Sequence, residues 1–271
     1  MNARSLWRGL LDGFEQNDLL TYASAIAFQI LTAIVPFLLF LLGLLGFLDL
    51  GGVWADDLAP DVEPRVSQAT FDLLDDTVEE VLTRRQLFWL TGGFLLALWQ
   101  ISGGVRAVMG ALDGVYDTRR HRPARERYPL SIVLALAVAT LVAASAAVAR
   151  FVPLLLEDQP ALLDVAFFVA RWLVAVALLA LAVGLLVHYA PGVRRPLPWV
   201  SFGTLLVIAG WVAMSVGFWV YLTQIADYDS IFGHLATLVV LMAFLYAAAV
   251  VFLAGAQLDA VVRRETELRA G

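Results

Sequence analysis

Six long apolar runs, each nearly free of charge, decide what this chain can fold into. A bilayer core is about 30 Å thick and a helix rises about 1.5 Å per residue, so about 20 apolar residues cross it. The runs of this length are Leu19 to Leu48, Leu87 to Leu112, Pro129 to Ala149, Val165 to Tyr189, Trp199 to Ala226 and His234 to Leu258. We therefore expect an all-α polytopic membrane protein with six transmembrane helices.

The composition supports this fold class. Of 271 residues, 61% are hydrophobic and 15% are charged, whereas a soluble domain is about 45–50% apolar and about 25% charged. These values argue against a soluble enzyme and against a basic nucleic-acid binder. The chain has no cysteine, which excludes disulfides, Fe–S clusters and thiolate zinc sites.

The distribution of arginine predicts the orientation, because cytoplasmic loops near the spans carry the excess of positive charge. If the N-terminus is cytoplasmic, the inner segments hold twelve arginines: Arg4, Arg8, Arg119, Arg120, Arg122, Arg125, Arg127, Arg194, Arg195, Arg263, Arg264 and Arg269. The outer segments then hold five: Arg65, Arg84, Arg85, Arg150 and Arg171. We predict a multi-pass plasma-membrane protein with both termini cytoplasmic.

The charged residues also carry information about the host. All 18 basic residues are Arg, and the formal net charge is −6. An acidic balance of this kind suits a salt-adapted organism. A GC-rich genome would favour Arg over Lys as well, so both explanations stay open.

Three segments lie outside the spans of the membrane domain, residues 19–258. Residues 1–18 have apolar side chains at helical spacing, which predicts an amphipathic helix in the inner interface or packed on the spans. Residues 49–86 form an outer insert with ten carboxylates and an amphipathic helix that begins at Pro60 and Pro64. Its acidic surface is a solvated face or a cation-recruiting one. Residues 259–271 are expected to be a cytoplasmic tail.

The first and fifth spans carry polar stripes that could line a cavity. Tyr22, Gln29, Thr32 and Pro36 share one face of the first span, and Pro36 is expected to kink it. In the fifth span, Ser201, Thr204, Trp211 and Ser215 form a polar stripe, although Ser and Thr also bond the carbonyls of their own helix. Structural and cavity-lining interpretations are both open for these stripes.

Small residues predict where helices approach closely. The helix-packing candidates are Gly103, Ala107 and Gly110 in the second span and Gly203, Gly210 and Gly217 in the fifth. Arg106 shares a face with Ser102 near the inner end of the second span. It either extends to the lipid headgroups or turns inward to contact an anion or a headgroup.

Catalytic and metal motifs are missing from the sequence. His121, His188 and His234 are far apart and lack a second ligand at metal spacing. No Walker glycine loop and no G-x-S-x-G elbow occur. We expect no metal, no cofactor, no nucleic-acid partner and no enzyme activity.

Several motifs in order along the chain resemble those of the YihY/BrkB family of inner-membrane proteins, once labelled as a ribonuclease. The motifs are Tyr22-Ala-Ser-Ala-Ile-Ala-Phe28 with Pro36; Trp99, Ser102-Gly-Gly-Val-Arg-Ala107, Leu112 and Tyr116; Tyr189-Ala-Pro-Gly192, Trp199, Trp211, Tyr221, Tyr228 and Gly233; and Gly255-Ala-Gln-Leu-Asp259. The resemblance implies six helices with both ends inside and a role in the cell envelope. The family usually has Glu and Asn where this chain has Gln257 and Asp259, and Asn where it has Asp113.

Three functions follow as hypotheses. The first is a permease, or a transporter that handles lipids or small anions. It would act through an inward-facing cavity lined by the polar stripes and Arg106. The second is a non-transporting envelope scaffold or assembly factor. The third and most remote is a ribonuclease. The lipid bilayer is the expected partner, and the sequence leaves the oligomeric state open.

Overall fold

The computed structural model describes residues 3–49, 52–65, 68–83, 86–117, 122–151, 161–192, 202–224 and 231–270. Within these ranges the chain is helical and contains no β-strand. The helices are α1 (Ala3–Gln16), α2 (Leu19–Phe47), α3 (Ala59–Val62), α4 (Gln68–Thr83), α5 (Gln86–Val115), α6 (Ala124–Phe151), α7 (Ala161–Tyr189), α8 (Phe202–Gln224) and α9 (Ile231–Ala270).

Six of these helices, α2 and α5 to α9, are long and apolar enough to cross a membrane. The six predicted spans and the all-α fold class are therefore confirmed. Large apolar side chains such as Trp99, Val216 and Trp219 are more than half exposed, as lipid-facing residues are when no lipid surrounds them.

The segment predicted as a cytoplasmic tail is a continuation of the sixth span. Helix α9 runs without a break to Ala270, so no structural boundary occurs at residue 259. Val261 gives the physical reason, because its side chain lies against Gly9 of α1. This contact between helices supports helical structure beyond the apolar run.

Helix α1 packs on α9 through two glycines. A Cβ on Gly9 would lie 3.2 Å from Val261, and one on Gly13 would overlap the side chain of Gln257. Leu11 and Asp12, in contrast, are exposed. The N-terminal helix thus contacts α9 with its glycine face.

The insert between the first two spans contains a shorter amphipathic helix than predicted. A π-helical turn from Val53 to Leu58, the short helix α3 and a 3₁₀ turn from Glu63 to Arg65 precede α4. Helix α4 buries Val78 and Val81. The indole Nε1 of Trp54 donates a hydrogen bond to Asp75 at 2.8 Å. Pro60 lies in the short helix α3 and Pro64 in the 3₁₀ turn, and the amphipathic helix α4 begins after both of them.

The chain forms two compact units. One comprises Met1–Ala27, Ser102–Phe218 and Tyr246–Gly271, and the other Phe28–Ile101 and Trp219–Leu245.

In the second unit, α2 and α5 approach closely at glycines. A Cβ on Gly93 would lie 2.6 Å from the backbone nitrogen of Phe40, and one on Gly43 would lie 2.6 Å from that of Leu90. Only glycine permits backbones to approach this closely. Helix α2 continues through Pro36, and Gly93 also faces the carbonyl of Pro36.

In the first unit, α8 and α9 approach at Gly203 and Gly255. A Cβ on Gly203 would overlap the carbonyl oxygen of Gly255, and one on Gly255 would lie 2.7 Å from the carbonyl oxygen of Gly203. Each glycine therefore accommodates the backbone of the other helix.

Candidate anion-binding site

Arg106 lies between α5 and α6, and two serines orient its side chain. Its Nη1 atom donates to Ser102 Oγ at 2.9 Å and to Ser131 Oγ at 3.3 Å. Both serines are completely buried. Ser131 donates its own proton to the carbonyl of Tyr128 at 2.8 Å, which leaves its oxygen as an acceptor for Arg106.

The side chain of Arg106 points away from the nearer end of its helix. At 1.5 Å per residue, Arg106 lies about 14 Å from the end of α5 at Val115. Ser102 is one turn further from that end, and it accepts the shorter of the two hydrogen bonds. An arginine that extends to the headgroups would reach toward Val115 instead.

The ring of Tyr128 stacks on Arg106. The guanidinium carbon lies 4.7 Å from the ring centroid, within the range of a cation–π interaction. Tyr128 and Ser131 both belong to α6, so one turn of α6 supplies both the ring and the hydroxyl. This turn fixes the plane of the guanidinium.

A second guanidinium reaches the same turn of α5. Arg127 of α6 donates from Nη2 to the carbonyl oxygen of Arg106 at 2.8 Å. Gly110 provides the space, since a Cβ there would lie 3.1 Å from Arg127 Nη2 and 2.6 Å from the ring of Tyr22. The Nε of Arg127 is buried with no hydrogen-bond partner in the described part of the chain. Arg127 thus binds the α5 backbone at Arg106 and lies beside Gly110, whereas the guanidinium of Arg106 lies beside Ser102.

A second polar layer joins the ends of α7 and α8 to other helices. Asp113 is buried and accepts the backbone N–H of Gly192 at 2.8 Å, after the end of α7. Asp259 accepts the N–H of Gly203 at 2.8 Å, in the first turn of α8. A carboxylate at a helix N-terminus is stabilising, because the backbone N–H groups and the helix dipole both favour a negative charge there. These carboxylates hold the α7 and α8 ends in place.

Arg122 completes this layer at the end of α7. Its Nη1 donates to the carbonyls of Tyr189 at 3.0 Å and of Ala190 at 3.4 Å. These carbonyls have no partner within the helix. A positive charge there also stabilises the negative end of the helix dipole.

Two polar atoms near this layer are buried without a hydrogen-bond partner among the described residues: the hydroxyl of Tyr116 and Oε1 of Gln257. Burial raises the pKa of Tyr116. Asp259 raises it further and Arg263 opposes the shift. The amide nitrogen of Gln257 donates to the carbonyl of Gly9 at 3.4 Å. An uncharged side chain suits this position, because Gln257 is only 2% exposed and a buried carboxylate would cost more.

The structure divides the predicted cavity residues between the two units. Gln29, Thr32 and Pro36 belong to the second unit. Thr32 donates to the carbonyl of Phe28 in its own helix at 2.8 Å.

The candidates of the fifth span belong to the first unit and differ in exposure. Thr204 is buried, Trp211 donates to the carbonyl of Ala248 in α9 at 2.9 Å, and Ser215 is exposed. Ser201, like His121, lies outside the described residues. The predicted stripe on α8 is thus buried at Thr204 and exposed at Ser215. The predicted inward-facing cavity stays a prediction.

The predicted small-residue contacts also differ from one another. A Cβ on Gly210 would lie 2.6 Å from Val251 of α9, whereas one on Gly217 meets no atom within 4 Å in the described part of the chain. Gly217 therefore does not share the predicted contact. Gly103 and Ala107 are half-buried, and Gly110 contacts the side chains of Tyr22 and Arg127.

Three residues of the site were not predicted from the sequence: Arg127, Tyr128 and Ser131. Arg127 was counted only for the orientation. A usable signal existed, because Arg127 and Ser131 are spaced by four residues and so share a helix face. That signal becomes specific only when α6 is placed beside α5. A group of three potential metal ligands is not present among the described residues.

Six apolar helices, with the half-buried Arg106 between two of them, define this chain as a polytopic helical membrane protein. The chain belongs to the virulence factor BrkB family, whose model matches residues 10–271. It is also 25% identical over 252 residues to YfkH of Bacillus subtilis (strain 168), which is named a ribonuclease-like protein. The match covers 91% of this chain and 90% of that relative. No solved structure matches the chain.

Proposed function

We propose that this protein binds an anionic group, a phosphate or a carboxylate, at Arg106 and Arg127, and that it handles a lipid or a small anion as a permease. The observation that carries this proposal is the inward direction of Arg106, which two buried serines hold. Charge within a membrane span is costly, so such residues are retained where they contact a ligand or a partner. A guanidinium binds phosphate or carboxylate through two parallel hydrogen bonds.

A flux assay tests this function. The purified protein is reconstituted into liposomes, and the movement of labelled anionic phospholipid and of small anions is followed. We expect flux that Arg106→Ala abolishes and that Arg106→Lys reduces strongly, because lysine keeps the charge but loses the planar fork. Arg125→Ala, on an exposed residue in the first turn of α6, is the matched control and leaves flux unchanged.

The same experiment separates the transporter from the scaffold. If no substrate moves and Arg106→Ala preserves the cellular phenotype, the scaffold replaces the permease as the proposed function. Equal tolerance of Lys and Ala would make Arg106 an interfacial anchor.

We propose no enzyme activity. RNA cleavage, suggested by the name of the relative, uses metal-bound water or paired acid and base groups. The site described above consists of guanidinium, hydroxyl and phenol groups. Cleavage of RNA by the purified protein, with loss of activity in His121→Ala, would overturn this proposal.

We also propose that both termini face the cytoplasm at the plasma membrane. The asymmetry of arginine supports this orientation. Protease protection of a terminal tag in spheroplasts tests it, and a tag cleaved from outside would contradict it.

A further inference from the structure

A second arginine, Arg171 of α7, lies beside two lipid-exposed aromatic rings. Its guanidinium carbon is 4.7 Å from the centroid of Phe168 and 6.0 Å from that of Trp172. Phe168 is 54% exposed and Trp172 is 49% exposed. Aromatic rings of this kind concentrate at membrane–water interfaces, where their apolar bodies contact acyl chains near the headgroups.

Arg171 reaches toward the nearer end of its helix, unlike Arg106. Helix α7 begins at Ala161, and the ring of Phe168 is almost one turn from Arg171 in that direction. The guanidinium is therefore directed toward the headgroups. Its Nε atom is buried and has no hydrogen-bond partner in the described part of the chain.

The two arginines are separated by about one bilayer core. Helices α6 and α7 are antiparallel. Near the end of α6, Ser145 donates to the carbonyl of Ala175 in the first half of α7 at 3.0 Å, whereas Arg122, just before α6 begins, binds the last carbonyls of α7. At 1.5 Å per residue, Ser131 and Ser145 are about 21 Å apart, and Arg171 lies about 6 Å beyond Ala175. Arg106, at the level of Ser131, and Arg171 are thus about 27 Å apart along the hairpin, against about 30 Å for the hydrocarbon core.

We infer that Arg171, with Phe168 and Trp172, binds the phosphate of an anionic phospholipid in the leaflet opposite to Arg106. The guanidinium supplies charge and paired donors for the phosphate. The exposed rings supply an apolar surface for the adjoining acyl chains. This site does not rest on the proposed function, because it requires no transport and no ligand at Arg106.

Native mass spectrometry of the full-length protein in detergent tests the site. The protein is titrated with phosphatidylglycerol, and the lipid concentration for half-saturation of each bound lipid is measured. We expect Arg171→Ala to raise this concentration about fivefold for one bound lipid, since one arginine at a membrane surface contributes about 1 kcal/mol.

Three controls identify the ligand chemistry. Diacylglycerol with the same acyl chains should bind weakly and equally to the wild type and Arg171→Ala. Excess inorganic phosphate should not displace phosphatidylglycerol. Arg125→Ala, which removes an equal charge elsewhere, should change the binding less than twofold. The inference would be overturned if inorganic phosphate displaced phosphatidylglycerol. It would also be overturned if Arg171→Ala weakened diacylglycerol binding as much as phosphatidylglycerol binding, or if Arg125→Ala weakened phosphatidylglycerol binding as much as Arg171→Ala.

A conservative variant guards against misfolding. Arg171→Lys keeps the charge and is expected to weaken binding less than Arg171→Ala but measurably. Binding identical to that of the wild type would contradict the role of the guanidinium fork. Phe168→Leu keeps an apolar side chain but removes the ring, and it should weaken the binding of the same lipid.

Discussion

Replacing Gly203 with alanine tests the contact between α8 and α9. The added methyl group would overlap the carbonyl oxygen of Gly255 and lie 2.6 Å from the carboxylate carbon of Asp259. The first of these neighbours is backbone, so side-chain rotation cannot relieve the overlap. The helices must separate, and separation would lengthen the hydrogen bond from the N–H of Gly203 to Asp259.

The expected loss of stability is the sum of two effects. Overpacking a close contact costs about 1–3 kcal/mol, and loss of a helix N-terminal cap costs about 0.5–2 kcal/mol. Because the two effects share one displacement, we expect about 2–4 kcal/mol in total. For a protein of this size, about 2–4 °C of Tm corresponds to each kcal/mol, so Tm should fall by about 4–16 °C.

Thermal unfolding in detergent, followed by fluorescence-detected size exclusion, measures this change. Gly217→Ala is the matched control in the same helix, because no atom of the described residues lies within 4 Å of the added Cβ. Its Tm should stay at or slightly above the wild-type value, since alanine favours a helix over glycine. A Gly203→Ala variant as stable as the wild type, or a Gly217→Ala variant equally destabilised, would refute the reasoning.

The polar layer gives two further predictions. Asp113→Asn should keep a nearly wild-type Tm, because the asparagine amide oxygen still accepts the N–H of Gly192. Asp113→Ala leaves that N–H unsatisfied and should cost about 1–3 kcal/mol of stability. Equal Tm values for the two variants would contradict this prediction. The pKa of Tyr116 is raised in the folded state. Above the ordinary tyrosine pKa of about 10, the unfolded state therefore loses a proton that the folded state retains, and the stability of the folded state falls as pH rises. Tyr116→Phe should therefore reduce the fall in Tm between about pH 9 and 11, and an unchanged pH dependence would argue against the shift.

The spans could be predicted from the sequence because the signal lies along the chain. Helix α2 begins at the predicted Leu19 and α7 ends at the predicted Tyr189, since hydropathy alone determines which residues enter lipid. The extension of α9 to Ala270 could not be predicted in this way. It depends on contacts of Val261 with α1, and such contacts exist only in three dimensions.

The site could be predicted only in part for the same reason. Arg106 and Ser102 were found together because four residues place them on one helix face. Their partner Ser131 comes from another helix, and no spacing rule connects the two. Gly110 was recognised as a contact residue, but its actual neighbours, Tyr22 and Arg127, are side chains rather than a facing helix backbone.

A direct distance measurement tests the central claim that Arg106 contacts an anionic group. The protein, with ¹⁵N-labelled arginine, is reconstituted in phosphatidylglycerol and studied by solid-state NMR that detects nitrogen–phosphorus proximity. The wild type should show a guanidinium signal in hydrogen-bond contact with phosphorus that Arg106→Ala removes and Arg125→Ala retains. Identical nitrogen–phosphorus contacts in the wild type and in Arg106→Ala would contradict the proposed headgroup site.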